Sequence, residues 1–185
     1  MEAETSTVPT NVLGLSGVTA ISSYVSHTRA LTDQGSVWCW GFNACGQLGD
    51  TSFASRGTAT EVMGLPERAI AIGTGGGLAT DQSARNGHTC AELEGGGVYC
   101  WGYNAYGQLG DGTNVDHAAP APVLGLTRAV EVAGGGGHTC ALDVDGALRC
   151  WGYNSFAGQL GDPSRADHSL PFQVPGVTSG DRAQR

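Results

Sequence analysis

The feature that most constrains this chain is a cassette that the sequence repeats three times. In each copy a His-Thr pair precedes Cys-Trp-Gly, with the Trp thirteen residues after the His, and Gly-Gln-Leu-Gly-Asp ends the copy. The copies occupy residues 27–50, 88–111 and 138–162. Self-similarity at a fixed period is typical of repeat architectures. A residue that recurs in every copy is therefore interpreted first as scaffold, and a departure from the period as a candidate for function.

Glycine content and strand spacing indicate an all-β fold. The sequence contains 31 Gly among 185 residues, and each Gly inside a helix costs about 1 kcal/mol relative to Ala. Gly-Leu or Gly-Val pairs recur at spacings of 50, 61 and 51 residues and start at Gly14, Gly64, Gly125 and Gly176. Four short strands fit between successive pairs, the fourth expected at residues 120–124 and 171–174. This period predicts β-propeller blades of four antiparallel strands.

A hairpin turn in the third unit predicts two disulfides. Residues 144–146 (Val-Asp-Gly) have the pattern of a three-residue loop with Gly in the left-handed position. Pairing outward from this turn places Cys140 opposite Cys150, and the same register places Cys90 opposite Cys100. Directly opposed residues of an antiparallel pair lie within disulfide reach. We therefore expect the disulfides Cys90–Cys100 and Cys140–Cys150.

The first unit departs from this pairing. The same register places Arg29 opposite Cys39, so Cys39 lacks a cysteine across the strand pair, and Cys45 occurs in this unit alone. Cys39 and Cys45 either form a disulfide with each other, or neither is in a disulfide. Because paired cysteines persist in oxidising environments, the chain is expected to be extracellular or on the cell surface, with a cytoplasmic location as the alternative.

The period also predicts the organisation of the chain. Its parts are residues 1–15 as a strand segment of a preceding blade, 16–65 as repeat 1, 66–126 as repeat 2 with an insertion at 73–87, 127–177 as repeat 3, and 178–185 as a disordered tail. Three blades are fewer than the roughly four to eight that close a ring. The chain is therefore interpreted as a segment of a longer propeller, as a homo-oligomer that completes a propeller, or as an open solenoid.

The second and third units resemble the repeats of the regulator-of-chromosome-condensation family. Those repeats read approximately Gly-X-X-His-Thr/Ser-X-Ala-Leu, then Gly-X-Val-X-X-Trp-Gly-X-Asn-X-X-Gly-Gln-Leu-Gly. Residues 137–162 and 87–111 match this pattern almost throughout, whereas unit one has Ser26 where Gly is expected before His27. The resemblance implies a propeller, usually of seven blades, and the Cys-containing version is similar to a variant in exported bacterial proteins. Family members range from nucleotide exchange factors to ultraviolet sensors and β-lactamase inhibitors, so the resemblance does not imply one function.

Charge and hydropathy argue against two classes of partner. The net charge is −8, and the nine basic residues are all Arg, scattered singly along the chain. Nucleic-acid binding depends on clustered Lys and Arg, so no nucleic-acid partner is expected. No apolar run approaches the roughly 20 residues that span a bilayer, so no membrane insertion is expected. The first ten residues lack the layout of a signal peptide.

The repeated polar residues are interpreted as structural. His27, His88 and His138 recur with a Cys two residues after two of them, but no fourth zinc ligand recurs, so no metal or cofactor is expected. The repeated Trp are expected to pack blade against blade. Asp-His pairs align at residues 116–117 and 167–168, but no nucleophile recurs beside them, so the chain is not expected to be an enzyme.

Candidate binding residues lie where the copies disagree or carry aromatic side chains. Trp38 stands where the other units have Tyr99 and Arg149, which makes it a candidate contact. The 73–87 insertion is a flexible surface loop, a binding loop or a decayed partial repeat. Interfaces are enriched in aromatic residues, and loops on rigid scaffolds often carry recognition. The further candidates, from the turns and the insertion, are Phe42, Tyr103, Tyr106, Tyr153, Phe156, Leu78, Asp81 and Arg85.

The sequence thus favours a non-enzymatic scaffold that recognises an unidentified protein partner through loops on one propeller face. Guanine-nucleotide exchange on a small GTPase is the alternative that the family resemblance implies. A purely structural segment of a larger exported protein is the third interpretation.

Overall fold

The structure, a computed structural model, describes residues 8–24, 26–76 and 87–177. Throughout these ranges the chain consists of strands and turns, and it forms no helix long and apolar enough to cross a bilayer. The strands are β1 (Val18–Tyr24), β2 (His27–Thr32), β3 (Val37–Gly41), β4 (Arg56–Glu61), β5 (Ala69–Gly76), β6 (Gly87–Leu93), β7 (Val98–Gly102), β8 (His117–Pro122), β9 (Ala129–Gly134), β10 (His138–Asp143), β11 (Leu148–Gly152) and β12 (His168–Gln173).

The strands form three sheets of four antiparallel strands each, which confirms the predicted all-β blades. The sheet orders are β1-β2-β3-β4, β5-β6-β7-β8 and β9-β10-β11-β12. These sheets are blades 1, 2 and 3. The first strands of the blades contact one another in series, β1 with β5 and β5 with β9, as expected for strands nearest the axis of a propeller.

The predicted hairpin register is confirmed in the second and third blades. Cys140 lies opposite Cys150, and Cys90 lies opposite Cys100. Both pairs form disulfides, with Cα atoms 4.1 Å apart. This separation is slightly shorter than the roughly 4.5 Å typical of a non-hydrogen-bonded cross-strand pair.

The insertion predicted at residues 73–87 is shorter than expected. Strand β5 continues to Gly76, which lies opposite Gly87, the first residue of β6. The glycines here belong to a strand because neighbouring groups leave no space for side chains, as at Gly75, where an added Cβ would overlap the His88 ring. Reading this Gly run as a loop was therefore wrong.

The fourth strands of blades 2 and 3 begin three residues earlier than predicted. They were expected at residues 120–124 and 171–174 but start at His117 and His168. Pairing with the third strand decides this, since His117 lies opposite Gly102, the residue after the conserved-position Trp. Proline is accepted inside these strands because they lie at sheet edges.

The termini fit the expected organisation less directly. Residues 8–17 form turns and irregular segments without a strand, so the strand expected over 1–15 is not formed by the part of it that the structure describes. Residues 1–7 and the expected tail at 178–185 lie outside the described residues.

The apolar core lies between blades. One cluster joins blades 1 and 2, and a second joins blades 2 and 3. Trp101 and Trp151 are fully buried in these clusters. The Trp101 indole donates to the Gln47 carbonyl over 3.1 Å, and Trp151 donates to the Gln108 carbonyl over 2.9 Å. The repeated Trp therefore joins each blade to the one before it.

Candidate protein-binding surface

The turn after each third strand is held by a buried asparagine. The Asn104 carbonyl oxygen accepts from the Leu109 N–H over 2.9 Å, and its amide donates to the Val115 carbonyl over 3.0 Å. Asn43 makes the equivalent bonds in blade 1 and Asn154 accepts the same N–H bond in blade 3. All three asparagines are fully buried. The turns are consequently rigid platforms for the side chains on them.

The Gln of each Gly-Gln-Leu-Gly segment serves two contacts. The Gln108 side-chain oxygen accepts from the Tyr106 N–H over 3.0 Å, which closes the turn. The Gln108 backbone carbonyl accepts from Trp151 and from the Thr139 hydroxyl of the next blade, the latter over 2.8 Å. Each turn is therefore fixed both within its blade and against its neighbour.

The aligned Asp-His pairs are divided between two structural contacts. Asp116 accepts from the Asn104 N–H over 2.8 Å, whereas His117 contacts Asp111 over 2.8 Å. Blade 3 repeats both contacts with Asp167, Asn154, His168 and Asp162. These side chains brace the turn, and the sequence gave no signal for the Asp111–His117 partnership because the two residues are not adjacent in it.

The bracing carboxylates remain ionised. Hydrogen bonds from the Ser164 hydroxyl and then from His168 lower the pKa of Asp162 to about 2. A carboxyl group with this pKa is held charged by its donors, not poised to exchange a proton near neutral pH. The turns thus have the electrostatics of fixed loops.

Three of the predicted tyrosines lie together on this face. The Tyr106 ring is 6.1 Å from Tyr103, edge to face, and 4.7 Å from Tyr153 of the next blade. All three side chains are partly exposed. We call Tyr103, Tyr106 and Tyr153 the tyrosine cluster. Tilted and edge-to-face pairs are favourable aromatic geometries, so the cluster forms a continuous apolar surface across two blades.

The other aromatic candidates are more dispersed. Phe156, in the blade 3 turn, is 72% exposed, and Phe42 is partly buried in the blade 1 turn. Trp38 is partly exposed in the middle of β3, beside Leu15 and Thr32. In the described residues no ring contact joins Trp38 to the tyrosine cluster.

The candidates Leu78, Asp81 and Arg85 lie outside the described residues. The strands on either side nevertheless give the edge from which this connection leaves. Gly76 pairs with Gly87, and the next residue of β6, His88, pairs with Gly102, which leads into Tyr103. The connection therefore starts and ends at the edge of blade 2 that carries the tyrosine cluster.

The repeated histidines are structural. The His88 Nε2 atom donates to the Thr139 hydroxyl of blade 3 over 2.8 Å. Burial, and then the charge of Arg29, lower the pKa of His88 to about 3, so its ring is neutral. The described residues contain no group of three or more His, Cys, Asp or Glu that could hold a metal ion.

Arg29 replaces this histidine bond at the interface of blades 1 and 2. Its Nε atom donates to the Thr89 hydroxyl over 2.7 Å, and its Nη2 atom donates to the His88 carbonyl over 2.8 Å and contacts His27. Arg29 is fully buried, and burial lowers its pKa to about 10. At neutral pH it is therefore a buried cation. Its Nη1 atom has no hydrogen-bond partner in the described structure.

Opposite this cation, Cys39 keeps its thiol. Cys39 lies directly across from Arg29, and neither Cys39 nor Cys45 is in a disulfide. Both residues are buried, and burial raises the pKa of each thiol to about 12. Of the two alternatives that the sequence left open, the structure shows the one without a disulfide.

Family models identify the repeat type. A model described as "Regulator of chromosome condensation (RCC1) repeat" matches residues 95–142. A second model with the same description matches residues 18–47 and 129–159. The matches fall in all three blades.

Curated relatives and solved structures agree with these matches. The chain is 33% identical to the "Ultraviolet-B receptor UVR8" of Arabidopsis thaliana over 94% of its own length and 38% of that protein. It is 37% identical to the "Secretion-regulating guanine nucleotide exchange factor" of Bos taurus over 59% of its length and 25% of that protein. Human WBSCR16 superposes with a TM-score of 0.74 and 25% identity, over 90% of this chain and 41% of that one. Yeast Prp20p superposes with a TM-score of 0.72 and 22% identity, over 87% of this chain and 39% of that one, which supports the fold alone.

Proposed function

Because the chain belongs to the regulator of chromosome condensation (RCC1) repeat family, we propose that it acts as a non-enzymatic scaffold that binds a protein partner. The proposed contact surface is the face that carries the turns after the third strands. The chain spans only about two fifths of UVR8, at 38% of that protein, so the activity of a whole protein is part of the proposal.

The tyrosine cluster is the observation that carries this proposal. Its rings meet across a blade boundary at 4.7 Å on turns fixed by buried asparagines. Binding hot spots are enriched in Tyr that are already ordered before the partner arrives. The connection between β5 and β6 leaves the same edge, so Leu78, Asp81 and Arg85 are proposed to extend this surface.

Charge and disulfides suggest the kind of partner and its location. The net charge of −8 favours a partner with a basic surface, because complementary potentials steer association. Two disulfides favour an oxidising environment, and we therefore propose an extracellular or cell-surface location over a cytoplasmic one. The relatives named above are eukaryotic, and a bacterial source is supported by the family resemblance only.

The proposal is tested by comparing captured partners of matched variants. Y106A and Y153A remove the tyrosine cluster, and V144A alters an exposed residue in the hairpin at the opposite ends of the strands. Quantitative mass spectrometry after affinity capture is expected to show proteins lost with both tyrosine variants and retained with V144A. Identical partner sets for all three proteins would refute the proposed surface.

Guanine-nucleotide exchange is the second candidate, supported by the 37% identity to the exchange factor from Bos taurus. A stopped-flow assay of nucleotide release over a panel of small GTPases tests it directly. Acceleration by the chain that is lost in Y106A would favour exchange activity through the same surface. A purely structural role is favoured instead if deleting residues 78–86 and mutating the tyrosine cluster both leave the captured partners unchanged.

A further inference from the structure

Blades 1 and 3 each have one face that no other described blade covers. We call the blade 1 face directed away from blade 2 the leading face, and the blade 3 face directed away from blade 2 the trailing face. At the two internal interfaces, the leading face of one blade packs on the trailing face of the blade before it. The same contacts recur in both, so each free face can be compared with a covered equivalent.

Apolar residues of the leading face are exposed where their equivalents are buried. Ile21 pairs with Ala30 as Val132 pairs with Ala141, yet Ile21 is 75% exposed and Val132 only 7%. Val18 is also partly exposed. These residues line a groove of about 510 Å³ with Val12, Leu15, Thr28 and Trp40.

The polar groups of the leading face lack the partners that their equivalents have. Trp101 and Thr89 both donate to the Gln47 carbonyl of the preceding blade, over 3.1 and 2.9 Å. Trp40 and Thr28 occupy the same positions in blade 1. In the part of the chain that the structure describes, no Gln carbonyl of another blade faces them.

The trailing face carries the complementary half. Gln159 occupies the position of Gln47 and Gln108, whose carbonyls accept from the next blade. An added Cβ at Gly110 would lie 2.6 Å from the Trp151 indole nitrogen, whereas at Gly161 the nearest atom is 3.0 Å away and belongs to Val174 of the same blade. The last Gly of the blade 3 turn therefore leaves the space that an indole occupies at the internal interfaces.

The apolar and histidine positions of the trailing face follow the same rule. In β10 the residues directed to this face, His138, Cys140 and Leu142, are partly exposed and alternate with buried ones. Strand β6, covered on both sides, is buried throughout. His138 has the position from which His88 donates to a Thr hydroxyl of the next blade.

We propose that a second copy of this chain docks its trailing face on the leading face of the first. The Trp40 indole and the Thr28 hydroxyl then donate to the Gln159 carbonyl of the other copy, and His138 donates to that Thr28. Docking places Ile21 and Val18 under the other copy's Leu148 and Cys140. This contact reproduces the interface of blades 2 and 3, which uses His88, and not the one that uses Arg29.

One recurring bond is unavailable to this contact. The Thr51 and Gly112 N–H groups donate to the next blade, over 2.9 and 3.0 Å, but Pro163 occupies their position in blade 3 and has no N–H. The remaining recurring bonds, to the Gln carbonyl and to the Thr hydroxyl, are all available.

Two copies contacting in this way form the same interface twice. The two interfaces are then related by a twofold axis, and two copies of three blades give six, within the roughly four to eight that close a propeller. We therefore expect a closed homodimer.

Sedimentation velocity of the full chain over a concentration series tests the proposal. We expect a concentration-dependent species with twice the mass of the chain. I21R on the leading face and L148R on the trailing face are each expected to raise the dissociation constant at least tenfold. V144R makes the same kind of change at an exposed hairpin residue and is expected to leave it unchanged. Circular dichroism verifies the fold of each variant, and Ile21 is exposed enough that its substitution does not disturb the blade core.

Mixing the variants distinguishes head-to-tail contact from any other dimer. I21R retains an intact trailing face and L148R an intact leading face, so an equimolar mixture forms one sound interface and is expected to recover a dimer. A chain that stays monomeric at all concentrations, variants that dimerise like the unmodified chain, or a mixture that stays monomeric would each overturn the proposal. These outcomes are independent of Tyr106 and Tyr153, so they do not bear on the proposed partner surface.

Discussion

At the scale of single residues, Arg29 shows how one departure from the repeat changes a blade interface. In blades 2 and 3 the same position is a disulfide cysteine, and the neighbouring His reaches or is free to reach the next blade. In blade 1 the Arg side chain makes the interblade bonds and lies beside the His27 ring. Removing a charged group from water costs several kcal/mol, and only hydrogen bonds offset this cost here.

Replacing Arg29 with Cys is expected to create a third cross-strand disulfide, because the register already places this position opposite Cys39. A loop of this length contributes about 2–3 kcal/mol to the free energy of unfolding. R29S removes the same cation without a new thiol and is the control. We expect R29C to unfold at higher urea than R29S under oxidising conditions, with thiols titrated after unfolding falling from two to one. Equal midpoints for R29C and R29S would contradict the predicted geometry.

Glu92 is a second residue that departs from its equivalents, which are Leu31 and Leu142. Its side chain is buried, and its Oε2 atom has no hydrogen-bond partner in the described structure. Burial, and then the charge of Glu131, raise the pKa of the Glu92 carboxyl above its usual 4.5. The ionised carboxylate therefore destabilises the interface of blades 2 and 3 at neutral pH.

E92Q is expected to stabilise the chain at pH 7, by about 1–3 kcal/mol, because it removes a buried charge that lacks a partner. A carboxyl whose folded pKa is raised loses stability as the pH rises through that pKa, and below 4.5 it is protonated in both states. The gain should therefore disappear below about pH 4.5. Urea unfolding at pH 7 and pH 4 measures it, with E94Q, on the exposed hairpin, as the control. A gain of the same size at both pH values would show that the charge is not the cause.

At the scale of strands and turns, the sequence predicted those features that depend on local spacing. The Gly of the hairpin turn and the regular Cys spacing were enough to give the register of the second and third strands. The extent of β5 was missed because its glycines are required by the His88 ring and a carbonyl of blade 3, contacts between residues far apart in the sequence. The tyrosine cluster was only partly predictable, since the sequence identified its residues but not their contact across blades.

The buried asparagine of each turn provides the element-scale prediction. N104A leaves the Leu109 N–H and the Val115 carbonyl without their partners, and each unpaired buried group costs about 1–3 kcal/mol. We expect a loss of about 3 kcal/mol in the free energy of unfolding. Asn114 is exposed and makes one bond, to the Ala105 carbonyl over 2.9 Å, so N114A should cost less than about 1 kcal/mol. Similar losses for the two variants in urea unfolding would rule out the proposed role of the turn network.

At the scale of the whole molecule, the repeat leads to a core built from interfaces and not within single blades. Each interface contains apolar side chains together with buried His, Thr and Trp groups that bond to the next blade. The number of blades was clear from the sequence, whereas the chemistry of the free faces required the burial of equivalent positions to be compared. The same arrangement makes stability depend on keeping the interfacial histidines neutral.

Mild acid is therefore expected to destabilise the whole array. Burial lowers the pKa of His27 to about 2 and of His88 to about 3, from 6.5. A histidine whose folded pKa is depressed stabilises the fold above pH 6.5, and this contribution is lost as the pH falls, because only the unfolded chain binds the proton. Each of the two contributes a slope approaching about 1.4 kcal/mol per pH unit between pH 6.5 and 4.5.

The carboxylates that brace the turns do not obscure this window. The pKa values of Asp111 and Asp162 are lowered from 3.8, so their contributions are lost only in stronger acid. H88Q removes one titrating group and keeps a donor for Thr139, so the slope of the free energy of unfolding against pH should fall by about half. Urea unfolding at half-unit steps of pH measures both slopes. A stability that stays constant from pH 6.5 to 5, or a slope unchanged in H88Q, would mean that these rings are not held neutral between the blades.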